Sequence, residues 1–402
     1  MIFDVSVRGA SILIRAIFTF FLARILSLEE FGIYTYISAT SAFLIYVGSA
    51  DFYAYAHREY LSGRISLEST LKAQTLFLSF SLAVAGVVGW LVAQDTLTDG
   101  LLLLLPLIII GETLAAELVR VLIACGKPST ANVVNFLKSA GWMLPLMGYA
   151  SLQDLPFAYI CPMWAAGLLT ATLFGIAHLP VSISQIRASM VPPAFFRKAW
   201  QCLPGILLGT LALRAIFSLD RLAVEWALGP AVVGIYGFFV AIASAYLALL
   251  DAGILARLSP QLITAAAQHG AHNGHGHAHR MRLWALAFGV AALLLYGIFI
   301  DDVVLLVGKP AFGESKEIGF ILLAAYTVYA YSMGAHSVLY AWGKDKAIYG
   351  IHIAGLVPFA VCAACALQLQ ASWLVAVGVL AATALHAALK TWFAHRLRPA
   401  PA

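Results

Sequence analysis

The chain has 402 residues, 62% hydrophobic and only 11% charged, with 24 Lys+Arg against 19 Asp+Glu and a mean hydropathy of +0.90. A soluble domain carries about 25% charged residues, so the composition excludes a soluble enzyme, points to no nucleic-acid partner and leaves a polytopic membrane protein. Five cysteines (Cys125, Cys161, Cys202, Cys362, Cys365) are odd in number and lie mostly in apolar runs, which argues against a disulfide framework.

At about 20 apolar residues per crossing, twelve runs are long enough to span a bilayer: 5–25, 31–55, 71–94, 101–124, 131–150, 157–177, 201–220, 231–256, 283–300, 317–341, 348–367 and 372–392. The first exceeds a signal-peptide core and has no small-residue cleavage site, so it reads as a retained helix. Lipid offers the backbone no hydrogen bonds, so each run is expected to be helical. Cys362-Ala-Ala-Cys365 has redox or metal spacing, but it lies inside the eleventh run, where packing is the plainer reading.

Basic residues set the orientation. With the N-terminus in the cytoplasm, the inward loops hold Arg58, Arg64, Lys72, Arg120, Lys127, Arg187, Arg197, Lys198, Arg257, Arg280, Arg282, Lys344, Lys346, Lys390, Arg396 and Arg398. The outward ends hold Arg24, Arg221, Lys309 and Lys316, with the acids Asp95, Asp99, Asp154, Asp301 and Asp302. Both termini are therefore expected in the cytoplasm.

The sequence echoes itself. Gly32-Ile33-Tyr34 opens the second run and Gly234-Ile235-Tyr236 the eighth, 202 residues apart. VLIACGK (121–127) closes the fourth and VLYAWGK (338–344) the tenth, with five of seven residues shared. Gly141 and Pro145 in the fifth run match Gly355 and Pro358 in the eleventh. Three ordered echoes predict a tandem duplication of six helices, as lobes 1–190 and 191–402, with a His-rich cytoplasmic insert at about 268–280 accounting for the growing offset. Six is even, so the halves share one orientation and a pseudo-twofold along the membrane normal, the parallel type of transporter repeat. The expected fold class is all-α integral membrane, with a cleft between two lobes.

ILSLEEFGIYTYISATSAFLIYVGSADFYAYAHREY (25–60) resembles the first helical hairpin of the bacterial polysaccharide exporters, the O-unit flippases of the multidrug/oligosaccharidyl-lipid/polysaccharide (MOP) exporter superfamily. FSLDRLAVEWALGPAVVGIY (217–236) and DDVVLLVGKPAFGESKEIGFILLAAY (301–326) resemble the seventh-to-eighth and ninth-to-tenth helix connections of the same family. The resemblance implies twelve helices in two lobes and a polyprenyl-pyrophosphate-linked oligosaccharide flipped to the outer leaflet by alternating access, for polysaccharide or O-antigen export beside a polymerase. The chain departs from the family in its compactness and its His-rich insert.

Charges within spans are rare and mark pathways. Arg15, Glu112, Glu117, Lys138 and Arg214 fall inside the runs, with Arg15, Glu112 and Lys138 near mid-span. Arg8, Ser11, Arg15 and Thr19 share one face of the first helix at 100° per residue, and Thr210, Arg214, Ser218 and Arg221 share one on the seventh. Two basic stripes suit an anion, since arginine grips phosphate oxygens with a planar fork. The expected cargo contacts are Arg15, Arg214, Lys138, Arg8, Arg24 and Arg221. The bland reading has Arg15 and Lys138 neutralising Glu112, and Arg24 and Arg221 snorkelling to water. Glu112, Glu117, Asp51 and Asp251 are the candidates for ion coupling (H+ or Na+) or gating, although Glu117 and Arg120 could simply pair across one turn.

Other readings stay open. His269, His272, His275, His277 and His279 crowd the insert and raise a metal-ion transporter. The intramembrane histidines His336, His352 and His386 have no acid at ligand spacing, so no metal site is expected and the tract reads as a linker. A cation-coupled multidrug exporter of the same superfamily is the closer alternative. No catalytic residues and no cofactor are expected; the only acidic pair on an outer loop, Asp301-Asp302, is too little for a glycosyltransferase.

Overall fold

The computed structural model describes residues 2–269 and 275–397. It is all-helical, and among the described residues eleven helices are long and apolar enough to cross a membrane. In chain order the first half is α1 (Ile2–Ile25), α2 (Leu28–Ser49), α3 (Phe52–Leu61), α4 (Leu67–Ala93), α5 (Asp99–Ala124), α6 (Pro128–Phe136), α7 (Met143–Ala150), α8 (Ile160–Ala177) and the short α9 (Ile183–Ala188). The second half is α10 (Pro193–Leu228), α11 (Pro230–Leu250), α12 (Ala256–His269), α13 (His275–Val307), the single turn α14 (Pro310–Gly313), α15 (Lys316–Ala341), α16 (Asp345–Leu369) and α17 (Trp373–Arg396). Outward faces carry leucines such as Leu103 (76% exposed) and Leu305 (80% exposed), a surface suited to lipid and not to water.

The segments depart from plain spans at instructive places. The fifth expected span is α6 and α7 joined through a π-helical turn, Leu137–Gly141, so it is absent from the eleven unbroken helices. At about 1.5 Å per residue, 128–150 still reaches about 34 Å. The second span stops at Ser49, where Ala50 and Asp51 adopt left-handed backbone (φ 43° and 50°) that costs roughly 1–2 kcal/mol per residue outside glycine. Its last expected residues, 52–55, belong instead to α3, a separate helix with Phe52, Tyr55 and Ala56 buried. In the second repeat, Asp251 opens a π-helical turn, Asp251–Leu255, between α11 and α12. The two related aspartates thus both mark breaks in helix geometry. The expected His-rich linker is helical from His275 onward, and 270–274 lie outside the described residues.

Two compact units emerge: Met1–Phe18 with Ile37–Leu207, and Thr19–Tyr36 with Leu208–Ala402. Within the first, α5 packs on α4, α6 and α8, and Tyr55 donates from its hydroxyl to the Phe195 carbonyl. Lys72 Nζ donates to the Arg187 and Ser189 carbonyls (2.8 and 2.6 Å), tying the end of α9 to α4. Within the second, α15 is central and packs on α11, α13 and α17.

The echoes have structural causes. Gly32 of α2 and Gly234 of α11 meet at one crossing within the second unit. A Cβ on Gly32 would lie 2.6 Å from the Pro230 carbonyl carbon, and one on Gly234 would lie 2.5 Å from the Leu28 carbonyl oxygen. The repeated Gly-Ile-Tyr is therefore a reciprocal backbone-to-backbone contact, the small-residue packing favoured in membranes, and it places 19–36 with the second unit. VLIACGK and VLYAWGK are the same helix stop. Gly126 (φ 75°) and Gly343 (φ 64°) terminate α5 and α15, with Lys127 N–H on Leu122 O (2.8 Å) and Lys344 N–H on Leu339 O (2.9 Å), a Schellman closure in each.

Candidate functional site

Glu112 lies on α5, facing α8 and the π turn. Its Oε2 accepts from Lys138 Nζ at 2.7 Å and its Oε1 from Trp164 Nε1 at 3.0 Å. The π turn that carries Lys138 also sets Trp142, which donates from Nε1 to the Lys138 carbonyl (3.2 Å) and stacks on Trp164 at 5.6 Å between ring centroids. Phe18 meets Trp142 edge-on at 5.3 Å. The pair is mostly buried, with side-chain exposures of 16% for Lys138 and 10% for Glu112. Lys138, expected among the cargo contacts, is thus engaged by Glu112 against an aromatic wall, and Glu112 does not depend on Arg15 for a counter-charge.

Further along α5, toward its end, Glu117 is buried and accepts from Gln74 of α4 and Arg120 of its own helix. The Arg120 guanidinium also lies over the Tyr53 ring, 3.9 Å from its centroid. His57, edge-on to Tyr53 at 5.9 Å, completes the cluster on α3. Burial and then the Arg120 charge hold the His57 imidazole below its ordinary pKa. Burial pushes the Tyr53 phenol up, although Arg120 opposes it. Both Glu117 carboxylate oxygens thus have partners, Oε2 with Gln74 and Oε1 with Arg120. Asp51 is buried at the left-handed break before α3, and Asp251 is exposed.

In the second unit, Arg221 is drawn inward, unlike the snorkelling expected of it. Its Nε lies 3.2 Å from Asp220 Oδ1, and its Nη2 donates to the Phe217 carbonyl. Tyr236, of the repeated Gly-Ile-Tyr, donates to Asp220 Oδ2 at 3.2 Å. Asp220 is 1% exposed and was absent from the expected site, although an acid beside an arginine inside an apolar run is a readable signal. The stripe on α10 therefore ends at Ser218.

Arg8, Arg15, Arg24 and Arg214 are all exposed. Arg8 Nε donates to Asn132 Oδ1 at 3.0 Å, and Arg24 sits in the last turn of α1 where a cation complements the helix dipole. Arg8 and Arg15 belong to the first unit, Arg24 and Arg214 to the second. Lys390, placed by sequence at a cytoplasmic end, is fully buried among helices with His336, His352 and His386 close by. Among the described residues, no group of three or more His, Cys, Asp or Glu side chains is placed to hold a metal ion.

No family model and no curated protein matches the chain. Its fold does match solved structures. An inward-facing multidrug resistance MATE family transporter of the MOP superfamily superposes with a TM-score of 0.69, covering 98% of this chain and 98% of that one at 13% identity. The chain has the fold of the MATE transporters. A second MATE structure, in complex with MaL6, superposes with a TM-score of 0.62 over 99% of this chain and 94% of that one, at 14% identity. At such identities the likeness is one of fold. The MATE fold accounts for the composite fifth span as one of twelve crossings. The superfamily named for the first of these structures is the one whose polysaccharide exporters the sequence resembles.

Proposed function

We propose that this chain is a multi-pass membrane exporter that moves an amphiphilic cargo by exposing its site alternately to the two sides of the bilayer. The match to a MATE transporter along 98% of the chain supports transport. Two cargo classes each have an observation in their favour. Multidrug export is backed by the fold comparison, since the first of these relatives is a multidrug resistance transporter. A polyprenyl-pyrophosphate-linked oligosaccharide is favoured by the side chains.

The carrying observation for the anionic cargo is the state of the charges. Glu112, Glu117 and Asp220 each have a cation of their own unit, Lys138, Arg120 and Arg221 respectively. Arg15 and Arg214, near the middle of α1 and of the apolar part of α10, are exposed. A mid-span charge on hydrocarbon costs at least about 2.5–3.5 kcal/mol, so exposed arginines at that depth belong to a watery path. A pyrophosphate there would be gripped by the guanidinium fork.

A deletion strain separates the cargo classes. Build-up of a lipid-linked oligosaccharide on the inner leaflet, with unchanged drug sensitivity, supports the anionic cargo. Unchanged lipids with raised sensitivity to cationic drugs support multidrug export.

A further inference from the structure

Four ionisable side chains meet inside the second unit, within about three turns of the adjoining ends of α15, α16 and α17. The His336 and His352 rings stack with centroids 6.0 Å apart, and the His352 and His386 rings are 5.3 Å apart. Lys390 lies one turn beyond His386 on α17 and is 0% exposed. Its Nζ is 3.5 Å from Ser332 Oγ and 5.7 Å from the Tyr329 ring centroid, both on α15. His352 Nδ1 faces the Gly209 carbonyl of α10 at 3.2 Å. His352 Nε2 and His336 Nδ1 are buried without a hydrogen-bond partner among the described residues, and the His386 ring is buried against the His352 backbone. Gly355 leaves room for the His386 ring, since a Cβ there would lie 2.8 Å from His386 Cδ2. The echo of Gly141 at Gly355 therefore serves this cluster.

The surroundings supply no negative charge. Among the described residues no carboxylate pairs with Lys390 or with any of the three histidines. From α13, the charged neighbour packed on α15 is another cation, Arg282, against Gly334 and over Tyr331 at 5.5 Å. Asp251 and Arg257, near the segments that also pack on α15, are exposed, as is Arg214 on α10. Apolar side chains make up much of the wall: Ala335, Val338, Ile351 and Leu389 belong to the core around these helices. The same residues do not suit a metal.

We propose that His336, His352, His386 and Lys390 form a proton-binding site within the second unit, and that its protonation drives helix rearrangement during transport. An uncompensated ammonium or imidazolium in an apolar core is strongly disfavoured, whereas neutral groups pack there. Each added proton repels the others across 5–6 Å and demands water or an anion. The dry packing of α15, α16 and α17 thus offers an added proton no compensating charge, and an opened, hydrated packing does. A ligand that binds one arrangement better shifts the population toward it, and here the ligand is the proton. The role in a transport cycle rests on the exporter reading; proton binding itself does not.

The test uses the full-length protein in lipid nanodiscs, with its five cysteines replaced and one reporter introduced, Thr383→Cys, buried on α17 one turn before His386. Maleimide labelling is measured from pH 8 to pH 5.5 and divided by that of Leu152→Cys, an exposed control (84%) that removes the intrinsic pH dependence of the thiol. The ratio should rise about tenfold or more on acidification, as expected for a proton site linked to opening by a shift of a pH unit or more. Lys390→Met and, separately, His386→Gln should flatten it while the protein remains monodisperse. If Lys390→Met does not fold, His386→Gln and His352→Gln decide alone. A ratio independent of pH in the intact cluster, or a rise unaffected by these replacements, overturns the proposal. No cargo is present, so a flat ratio in a protein that still exports defeats the proton site alone. A pH-dependent ratio in a protein that exports nothing defeats the exporter reading alone.

Discussion

Replacing Gly32 or Gly234 by alanine should loosen the second unit, unlike a methyl added at an open helical glycine. A Cβ at 234 would sit 2.5 Å from the Leu28 carbonyl oxygen, and one at 32 would sit 2.6 Å from the Pro230 carbonyl carbon. Ordinary contact distances are about 3.5 Å, so α2 and α11 must separate by roughly 1 Å. The obstruction is backbone, which cannot rotate away as a side chain would. Overpacking of this kind costs about 1–3 kcal/mol, against a gain of at most about 1 kcal/mol from the better helix propensity of alanine. Separation also strips contacts one turn on, where a Cβ on Gly237 would lie 2.8 Å from Thr35 Oγ1. The assay is thermal unfolding of the detergent-solubilised protein followed by tryptophan fluorescence. Gly32→Ala and Gly234→Ala should each lower the midpoint by several degrees. Gly86→Ala, on α4 with nothing within 4 Å of a new Cβ, should leave it unchanged or raise it. The double variant should cost less than the sum, because one separation accommodates both methyls. Midpoints for Gly32→Ala and Gly234→Ala matching that of Gly86→Ala would refute the reciprocal crossing.

Three further outcomes are expected. Lys138→Met should destabilise the first unit by about 3–5 kcal/mol, the usual result of stripping one partner from a buried pair, and adding Glu112→Gln should restore most of it; a double variant as unstable as the single would dissolve the pairing. His57 ordinarily titrates near pH ~6.5, and burial with Arg120 lowers its folded value, so the unfolded chain binds the extra proton and stability falls as pH drops through that value. Melting midpoints measured at pH 7.5 and at pH 5.5 should therefore differ less in His57→Gln than in wild type, and equal slopes would remove His57 as a cause. Cysteines at Asp302 and His279, both exposed, should label with impermeant reagent from opposite faces of the membrane in intact cells, Asp302→Cys from outside; labelling of His279→Cys from outside would invert the topology.

The spans were legible because apolar length is nearly sufficient for a membrane helix, and the repeats because Gly32, Gly126, Gly234 and Gly343 stand where a close crossing or a positive φ admits little else. Breaks were less legible. Leu137–Gly141 is apolar enough to read as straight helix, and nothing local in Ala50-Asp51 demands left-handed backbone; tertiary packing decides both. The partners of the charges were not legible. Single-helix periodicity shows a face and not what covers it, and Glu112 and Asp220 pair with Lys138 and Arg221 here. Lys390 counted as a loop cation because it lies six residues from the end of α17, yet three helices close over it. The gathering of His336, His352 and His386 from three helices had no sequence signature, since each lies alone in its own run.

The measurement closest to the central claim is export by purified protein in liposomes, comparing wild type with Arg15→Ala and Arg15→Lys. Two cargoes are offered, a fluorescent polyprenyl-pyrophosphate sugar and a cationic dye. A charge-assisted contact contributes about 1.5–3 kcal/mol, so Arg15→Ala should slow movement of the pyrophosphate lipid tenfold or more. Arg15→Lys should retain part of it, with the charge kept and the fork lost. Glu112→Gln should not rescue Arg15→Ala, because Lys138 already pairs with Glu112. Movement of the dye alone, at a rate indifferent to residue 15, would contradict the anionic-cargo account and leave multidrug export standing.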